Sequence, residues 1–263
     1  MKSLISINYK FMEVSPKELA KLINLSKYTK GVEINVDVDK DEEMKYLSDL
    51  VFELKKNDLI LQVHGEVTLE LDKQIEFMKL IENYSDYLGY PIVVTMHTIY
   101  DDDVNLSISK TLDYVSNLLS SINKEKIILC LENLNDIRGF NNRLNKDDIK
   151  PLVLNDEKLY FTYDIGHEIA DYGSIINLDG YMFSDIRNVH LHSYNDQGVD
   201  HIPIYKNDRH YQDIIKALEF LIINHYEYNI VYEYGLEYCA GNTTIDKIKE
   251  YLNFIDLVSE KYN

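Results

Sequence analysis

The sequence has few of the features that mark disulfide scaffolds, membrane proteins or secreted proteins. It contains two cysteines, Cys130 and Cys239, and they have no CxxC or other metal-ligand spacing, so a disulfide framework is not expected in a chain of 263 residues. No stretch reaches the roughly 18 consecutive apolar residues that a membrane span needs. The N-terminal segment MKSLISINYKF lacks the pattern of a secretory signal. We therefore expect a cytoplasmic protein without a membrane partner.

Positive charge is also scarce. Lys and Arg number 27 against 45 Asp and Glu, which gives a formal net charge of −18. Because binding to a phosphate backbone draws on Lys and Arg to displace counterions, extended contact with DNA or RNA is disfavoured. Hydrophobic residues make up 45% of the chain and charged residues 27%, as in a globular protein with a sizeable core. Small molecules are the expected partners, and association into a homo-oligomer stays open.

What the chain does contain is a regular alternation of short apolar runs and longer amphipathic stretches. The runs, rich in β-branched and aromatic residues, are 4–11, 31–37, 59–65, 91–97, 126–133, 159–167, 188–192 and 229–235. The first amphipathic stretch begins with Ser15 as a helix cap before Pro16. Alternating strands and helices imply a parallel sheet, and eight units close it into a barrel of about 250 residues. We predict an α/β fold, a single (β/α)8 TIM barrel, as one domain over 1–263.

Polar side chains stand near the C-terminal ends of the third to eighth runs. They are His64, His97, Glu132, Asp164, His190 and Glu233. A single acid or imidazole at a strand end is more often solvated or a helix cap. Six in succession are hard to explain by packing, because burying unpaired charge is costly and a closed barrel brings all strand ends around one axis.

A divalent cation would neutralise such a cluster, because it accepts both carboxylate oxygen and imidazole nitrogen as ligands. Zn, Mn, Co, Fe or Mg fit this mixed ligand set, whereas Ca prefers oxygen ligands alone. Three further histidines lie close by in the sequence: His167 in the segment DIGH, His192 two residues beyond His190 on the same strand face, and His201 in the following loop. Surface roles are equally compatible with His167 and His201. Either His190 or His192 could be the metal ligand.

Several segments together resemble the xylose isomerase-like barrel superfamily. They are GVEINVD, LQVH, VTMH, CLEN, YDIGH, HLHSYNDQGVDHIPI and YEYG. That superfamily holds sugar-phosphate isomerases and epimerases together with nucleases of AP endonuclease family 2, the endonuclease IV type. The resemblance implies a shared metal site on Glu132, Asp164, His190 and Glu233. It also implies that the chain matches positions used by the nuclease branch for additional metals, at His64, His97, His167 and His201.

The chain departs from the family pattern in the seventh unit. Ser193 stands where members commonly have Asp, three residues after the seventh-strand histidine. The nuclease pattern DxH would need Asp at Val199, although Asp200 is next to it. These departures count against a complete site for three metals.

Two functions follow from these residues. In the first, the protein is a metal-dependent sugar or sugar-phosphate isomerase or epimerase, with Glu132 and Glu233 transferring protons. The substrate would then be bound by His64, His97, His167, His192 and His201. The alternative is an endonuclease IV-like phosphodiesterase acting on abasic DNA, which the acidic segments GEVTLELDK and DVDKDEE oppose. We favour the isomerase. A third hypothesis is that the barrel binds a ligand without catalysing a reaction.

Overall fold

The structure, a computed structural model, describes residues 1–65, 70–134, 143–155, 158–172, 183–195 and 199–260. Part of the acidic segment after His64, residues 66–69, lies outside this description. The strands are β1 (Lys2–Ile7), β2 (Thr29–Asn35), β3 (Ile60–Gly65), β4 (Ile92–Met96), β5 (Ile127–Glu132), β6 (Leu159–Asp164), β7 (Ile186–Leu191) and β8 (Asn229–Tyr232). The α-helices are α1 (Pro16–Leu25), α2 (Asp41–Lys56), α3 (Leu71–Leu88), α4 (Val104–Ser121), α5 (Lys146–Asn155), α6 (Ile165–Tyr172), α7 (Tyr211–Ile223) and α8 (Thr244–Ser259).

The strands form a closed barrel in the order β1 to β8. The registered pairs β1–β2, β1–β8, β3–β4, β4–β5 and β5–β6 are all parallel. Each strand follows its predecessor in both sequence and space, so the predicted (β/α)8 barrel is confirmed. None of the helices within the described ranges is long and apolar enough to cross a membrane.

Two compact units make up the chain. The first, here called the terminal unit, comprises residues 1–62 and 190–263, and the second, the central unit, comprises residues 63–189. The boundaries between them fall inside β3 and β7. The assignment of 1–263 to a single domain stays a prediction.

In the terminal unit, β1 lies between β2 and β8. Ile5 pairs with Val32 on one side, and Leu4 pairs with Val231 on the other; all four side chains are fully buried. Gly31 permits a close approach of backbones, because a Cβ at this position would lie 2.1 Å from the carbonyl oxygen of Ile60. A larger residue in place of Gly31 would therefore force β2 away from β3.

In the central unit, hydrogen bonds join polar side chains of β4, β6 and β7. The hydroxyls of Thr95 and Thr162 are 2.9 Å apart, and Asn188 Nδ2 donates to Thr95 Oγ1 at 3.0 Å. All three residues are fully buried. These hydrogen bonds satisfy polar groups that would otherwise be costly to bury.

Local capping explains two places where the elements end earlier than the apolar runs predict. The first run was predicted over 4–11, but β1 ends at Ile7 because Asn8 Oδ1 accepts from the Lys10 amide at 3.0 Å and opens a 3-10 turn over Tyr9–Glu13. The sixth run was predicted over 159–167, but α6 begins at Ile165. Asp164 Oδ1 accepts there from the His167 amide at 2.6 Å, as an N-cap carboxylate does.

Candidate metal centre

The six polar residues predicted at strand ends all lie at or directly after the C-terminal end of a strand. Glu132 and Asp164 are the last residues of β5 and β6, while His97 and Glu233 directly follow β4 and β8. The remaining two, His64 and His190, are the next-to-last residues of β3 and β7. Five of the six residues are buried, and the His97 side chain is 41% exposed.

In the central unit, two imidazoles converge on one carboxylate oxygen. His64 Nε2 lies 3.2 Å from Glu132 Oε2, and His97 Nε2 lies 3.1 Å from the same atom. The two imidazole rings meet edge to face, with centroids 4.7 Å apart. One ligand atom from each of the three residues lies within 4.8 Å of the others. Two nitrogens and a carboxylate oxygen are a ligand set that divalent transition metals accept.

Asp164 is held in the same unit by Asn133, a residue that the sequence interpretation missed. Asn133 Nδ2 donates to the Asp164 carbonyl at 2.9 Å, and the Asp164 amide donates to Asn133 Oδ1 at 2.8 Å. His167 Nδ1 lies 2.8 Å from the Asn133 carbonyl oxygen, which can only accept. The proton of a neutral His167 therefore lies on Nδ1, and its lone pair on Nε2.

His167 also lies close to the carboxylates of Asp164 and Glu132. Its Nδ1 is 3.5 Å from Asp164 Oδ2 and 3.6 Å from Glu132 Oε1. His64, His97, Glu132, Asp164 and His167, all predicted as site residues, are thus joined by contacts within the central unit. The side-chain amide of Asn133 holds the Asp164 backbone at the point where β6 ends and α6 begins.

In the terminal unit, His190 lies between two carboxylates. Its Nε2 is 2.9 Å from Glu33 Oε1, and its Nδ1 is 3.2 Å from Glu233 Oε2. His190 and Glu33 are fully buried, and Glu233 is 8% exposed. One ligand atom from each of these three residues lies within 4.8 Å of the others. Glu33 was missed because it stands inside the run GVEINVD rather than at its end; a lone acid flanked by buried apolar residues was the available signal.

His192 and His201 form a stacked pair in the terminal unit. Their ring centroids are 4.2 Å apart with an interplanar angle of 11°, and the His201 amide donates to His192 Nδ1 at 3.2 Å. His201 Nε2 lies 3.5 Å from Glu233 Oε2. His201 adopts a φ of 54°, in the left-handed region that non-glycine residues seldom adopt. Such strain clusters at functional sites.

Tyrosines adjoin two of the site carboxylates and stay neutral. Burial raises the pKa of the Tyr163 phenol well above its usual value, and the carboxylates of Glu168 and Asp164 add to the rise. Burial likewise raises the pKa of Tyr234, which directly follows Glu233. Both phenols are therefore uncharged at neutral pH.

No family model and no curated protein matches the chain. Solved structures of similar fold include a xylose isomerase domain protein from Alicyclobacillus acidocaldarius, which is 14% identical with a TM-score of 0.67 over 99% of this chain and 98% of that one. An IolI protein with a bound zinc atom is 15% identical, with a TM-score of 0.68 over 100% of this chain and 99% of that one. The 3-keto-D-glucoside 4-epimerase from E. coli is 13% identical, with a TM-score of 0.65 over 99% of both chains.

An AP endonuclease of family 2 from Brucella melitensis has a TM-score of 0.64 and is 14% identical, over 92% of this chain and 95% of that one. Identities this low show a common fold, while activity belongs to the residues of each site. The chain therefore shares the (β/α)8 barrel fold of these proteins.

Proposed function

We propose that the protein is a metal-dependent isomerase or epimerase of a sugar or sugar phosphate. The observation that carries this proposal is that buried imidazole and carboxylate groups are clustered at the C-terminal ends of the strands in each compact unit. This is the end at which the active sites of such barrels are built. Burying several carboxylates together is costly unless cations offset their charge.

The proposed metal ligands come from four consecutive strands, β5 to β8. They are Glu132, Asp164, His190 and Glu233. Three carboxylates and one imidazole suit Zn, Mn, Co, Fe or Mg. The zinc atom bound by the IolI protein of similar fold supports this choice. His190 is preferred over His192 as the imidazole ligand, because its Nδ1 lies 3.2 Å from Glu233 Oε2 whereas His192 stacks on His201.

When bound, the ion would polarise a carbonyl and a hydroxyl of the substrate and so acidify the neighbouring C–H bond. In the proposed reaction, Glu132 removes the proton from the substrate carbon, and Glu233 returns a proton to the opposite face or to the neighbouring carbon. Both carboxylates are nearly enclosed, with exposures of 1% and 8%, which keeps most water away from the reacting carbon.

Histidines would orient the substrate hydroxyls around these two acids. His97 and His201 are suited to first contact with a substrate, because their side chains are 41% and 37% exposed. His64, His167 and His192 are buried and would hold groups that enter deeper. Sugars offer both hydroxyl donors and acceptors, which neutral imidazoles can match.

The test is deuterium exchange in heavy water across a panel of ketoses and their phosphates. We expect the metal-loaded wild type to incorporate deuterium at the carbon next to the carbonyl of one of them. Glu132→Gln and Glu233→Gln should abolish incorporation, because an amide cannot accept the proton. Glu227→Gln, an exposed acid on the loop before β8, is the matched control and should exchange as the wild type does. Absence of exchange with every sugar would contradict the proposal.

One observation favours a second candidate, a metal-dependent phosphodiesterase acting on abasic DNA. The cluster of His64, His97 and Glu132 offers a further set of metal ligands, and phosphodiester cleavage uses more than one ion. The similar fold of the AP endonuclease of family 2 is compatible with it. The net charge of −18 opposes DNA binding, so we rank this function second.

Metal stoichiometry and incision of a duplex with one abasic site separate the two functions. One ion per chain without incision supports the isomerase, whereas two or three ions with incision support the phosphodiesterase. Binding of a metal and a sugar without exchange or incision would instead indicate a barrel that binds without catalysis. A cytoplasmic location and a homo-oligomer stay predictions from the sequence.

A further inference from the structure

The loop after β8, residues 233–243, begins with Glu233 at the end of the strand where such barrels build their active sites. Its backbone is tied to His201, because the Gly235 amide donates to the His201 carbonyl at 3.0 Å. In many (β/α)8 barrels the loops after the seventh and eighth strands, together with a short extra helix, bind a substrate phosphate. This chain has a short 3-10 turn at that place, Leu236–Tyr238. The groups on this loop therefore bear on whether a phosphorylated substrate fits.

The carboxylate of Glu237 covers the beginning of the 3-10 turn. Its Cδ lies 2.7 Å, and both its oxygens 2.9 Å, from the point where a Cβ on Gly235 would stand, so the side chain folds back over the glycine. Lys10 Nζ donates to Glu237 Oε2 at 2.9 Å, and this hydrogen bond lowers the pKa of the Glu237 carboxyl. A negative charge is therefore held beside the backbone of this turn at neutral pH.

A second carboxylate fills the next part of the loop. The amides of Ala240 and Gly241 donate to Glu250 Oε2 at 2.7 and 3.2 Å. Successive backbone N–H groups of this kind form anion-binding sites in other proteins. In this chain α8 supplies the anion itself, because Glu250 belongs to that helix. Two backbone donors that could bind a phosphate are thus already used.

The N-terminus of α8 is occupied in the same way. Thr243 Oγ1 accepts from the Asp246 amide at 3.2 Å and donates to Asp246 Oδ2 at 2.8 Å. A helix N-terminus favours an anion, and here the first turn carries its own carboxylate. The loop 233–243 itself contains two acids and no Lys, Arg or His. A phosphate group that approached this loop would therefore meet carboxylates and few available donors.

We propose that Glu237 is a specificity-determining residue that excludes phosphorylated substrates, so that the substrate is an uncharged sugar. This inference rests on the proposed function and narrows its substrate class. Glu237 repels a phosphate directly, and it also engages Lys10, a cation that could otherwise pair with one. Glu250 and Asp246 supply the anions for backbone donors of the same loop. Uncharged sugar hydroxyls are compatible with this surface, because they can donate to carboxylates.

The experiment compares full-length, zinc-loaded wild type, Glu237→Gln and the matched control Glu227→Gln, which removes an exposed acid before β8. Each ketose of a panel is tested beside its terminal phosphate ester. Deuterium incorporation gives kcat/KM for both members of a pair, and calorimetry gives their dissociation constants. The rates are measured at about 50 mM and about 500 mM salt, because salt screens exposed charges. The melting temperature reports folding, to which an exposed ion pair contributes little.

We expect the wild type to prefer an uncharged ketose over its phosphate ester by at least about 10-fold in kcat/KM and in affinity. Glu237→Gln should narrow this preference about 10-fold, mainly because the phosphate ester reacts faster and binds more tightly. High salt should favour the phosphate ester more in the wild type than in Glu237→Gln. Glu227→Gln should show the wild-type preference. A merely structural role of Glu237 would lower the rates with both sugars together and leave their ratio unchanged.

Three results would overturn the inference. A wild type that uses a phosphate ester as well as the uncharged ketose, or better, would contradict it and leave the proposed function intact. An unchanged preference in Glu237→Gln at both salt concentrations would show that Glu237 does not determine specificity. Absence of exchange with every ketose and every ester would overturn the proposed function and this inference together.

Discussion

The side chain of Asn133 and the backbone of Asp164 are joined by two hydrogen bonds, a donation from Nδ2 at 2.9 Å and an acceptance by Oδ1 at 2.8 Å. Asn133 directly follows β5 and Asp164 ends β6, so one amide side chain ties together the ends of two neighbouring strands. Both residues are buried, which makes each of these bonds difficult to replace with water. The pair fixes the position from which the Asp164 carboxylate projects.

Asn133→Ala should therefore destabilise the protein and weaken metal binding together. Leaving a buried backbone N–H and C=O unpaired costs about 1 to 3 kcal/mol for each group. Urea unfolding and zinc titration measure the two effects. Asn224→Ala is the matched control, because the Asn224 amide makes one exposed bond to the Phe220 carbonyl at 2.8 Å. Equal stability of the Asn133 and Asn224 variants would show that the pair does not support the strand ends.

A buried ion pair joins α5 to α6. Lys146 Nζ lies 2.8 Å from Glu168 Oε1, and the two side chains are 9% and 0% exposed. Lys146→Met would leave the Glu168 charge buried without this partner, so we expect a loss of about 3 to 5 kcal/mol in the free energy of unfolding. Lys216→Met, whose side chain is 71% exposed, should change stability little.

A double variant separates the ion pair from other roles of Lys146. Replacing Lys146 by Met and Glu168 by Leu removes both charges, and most of the lost stability should return. Urea unfolding of the two single variants and the double variant measures the coupling between them. A double variant as unstable as the sum of the single ones would contradict the ion-pair explanation.

His97→Ala distinguishes a substrate-binding histidine from a ligand of a second metal. In the proposed isomerase, the variant should retain the wild-type metal content and lose about 10-fold in kcat/KM, as the loss of one substrate hydrogen bond does. Metal analysis and initial rates are measured on the same preparation, with His225→Ala as an exposed control. Loss of one ion per chain in His97→Ala would instead favour the phosphodiesterase.

Buried tyrosines should make the protein sensitive to alkali. Burial raises the pKa of Tyr232 to about 12, and it raises the pKa values of Tyr163, Tyr234 and Tyr251 well above their ordinary value. An unfolded tyrosine titrates near pH 10. The folded state holds these protons more tightly than the unfolded state does. The stability that the protonated tyrosines contribute is therefore present in full below about pH 10, and it is lost as the pH rises through the folded-state pKa.

For Tyr232 the loss between pH 10 and pH 12 amounts to about 3 kcal/mol. Urea unfolding followed across this range, with tyrosinate absorbance as the second signal, measures it. Tyr232→Phe should show a shallower decline than the wild type. The same decline in both proteins would mean that Tyr232 does not contribute to the alkaline sensitivity.

The fold could be predicted from the sequence because apolar runs and amphipathic stretches alternate along the whole chain. The exact ends of the strands could not, since they depend on side chains that compete for backbone groups. Asn8 ends β1 by accepting from the Lys10 amide, and Asp164 begins α6 by accepting from the His167 amide. Such short-range bonds are difficult to recognise among many Asn and Asp residues in a sequence.

The strand-end residues of the candidate site were visible because each interrupts an apolar run at the same end. Glu33 lies mid-strand and Asn133 is an uncharged amide, so neither stood out. Lys146 and Glu168 are 22 positions apart, and their pairing depends on how two helices pack. Partners that meet only through tertiary structure are outside the reach of sequence spacing.

The account depends most on whether one divalent ion is bound by Glu132, Asp164, His190 and Glu233. Crystals of the zinc-loaded protein, with anomalous data collected on both sides of the zinc absorption edge, test this directly. We predict one anomalous peak within coordination distance of all four side chains, and its disappearance in Glu132→Gln. The absence of a peak there, or a peak bound by His64 and His97 without Asp164 and Glu233, would contradict the account.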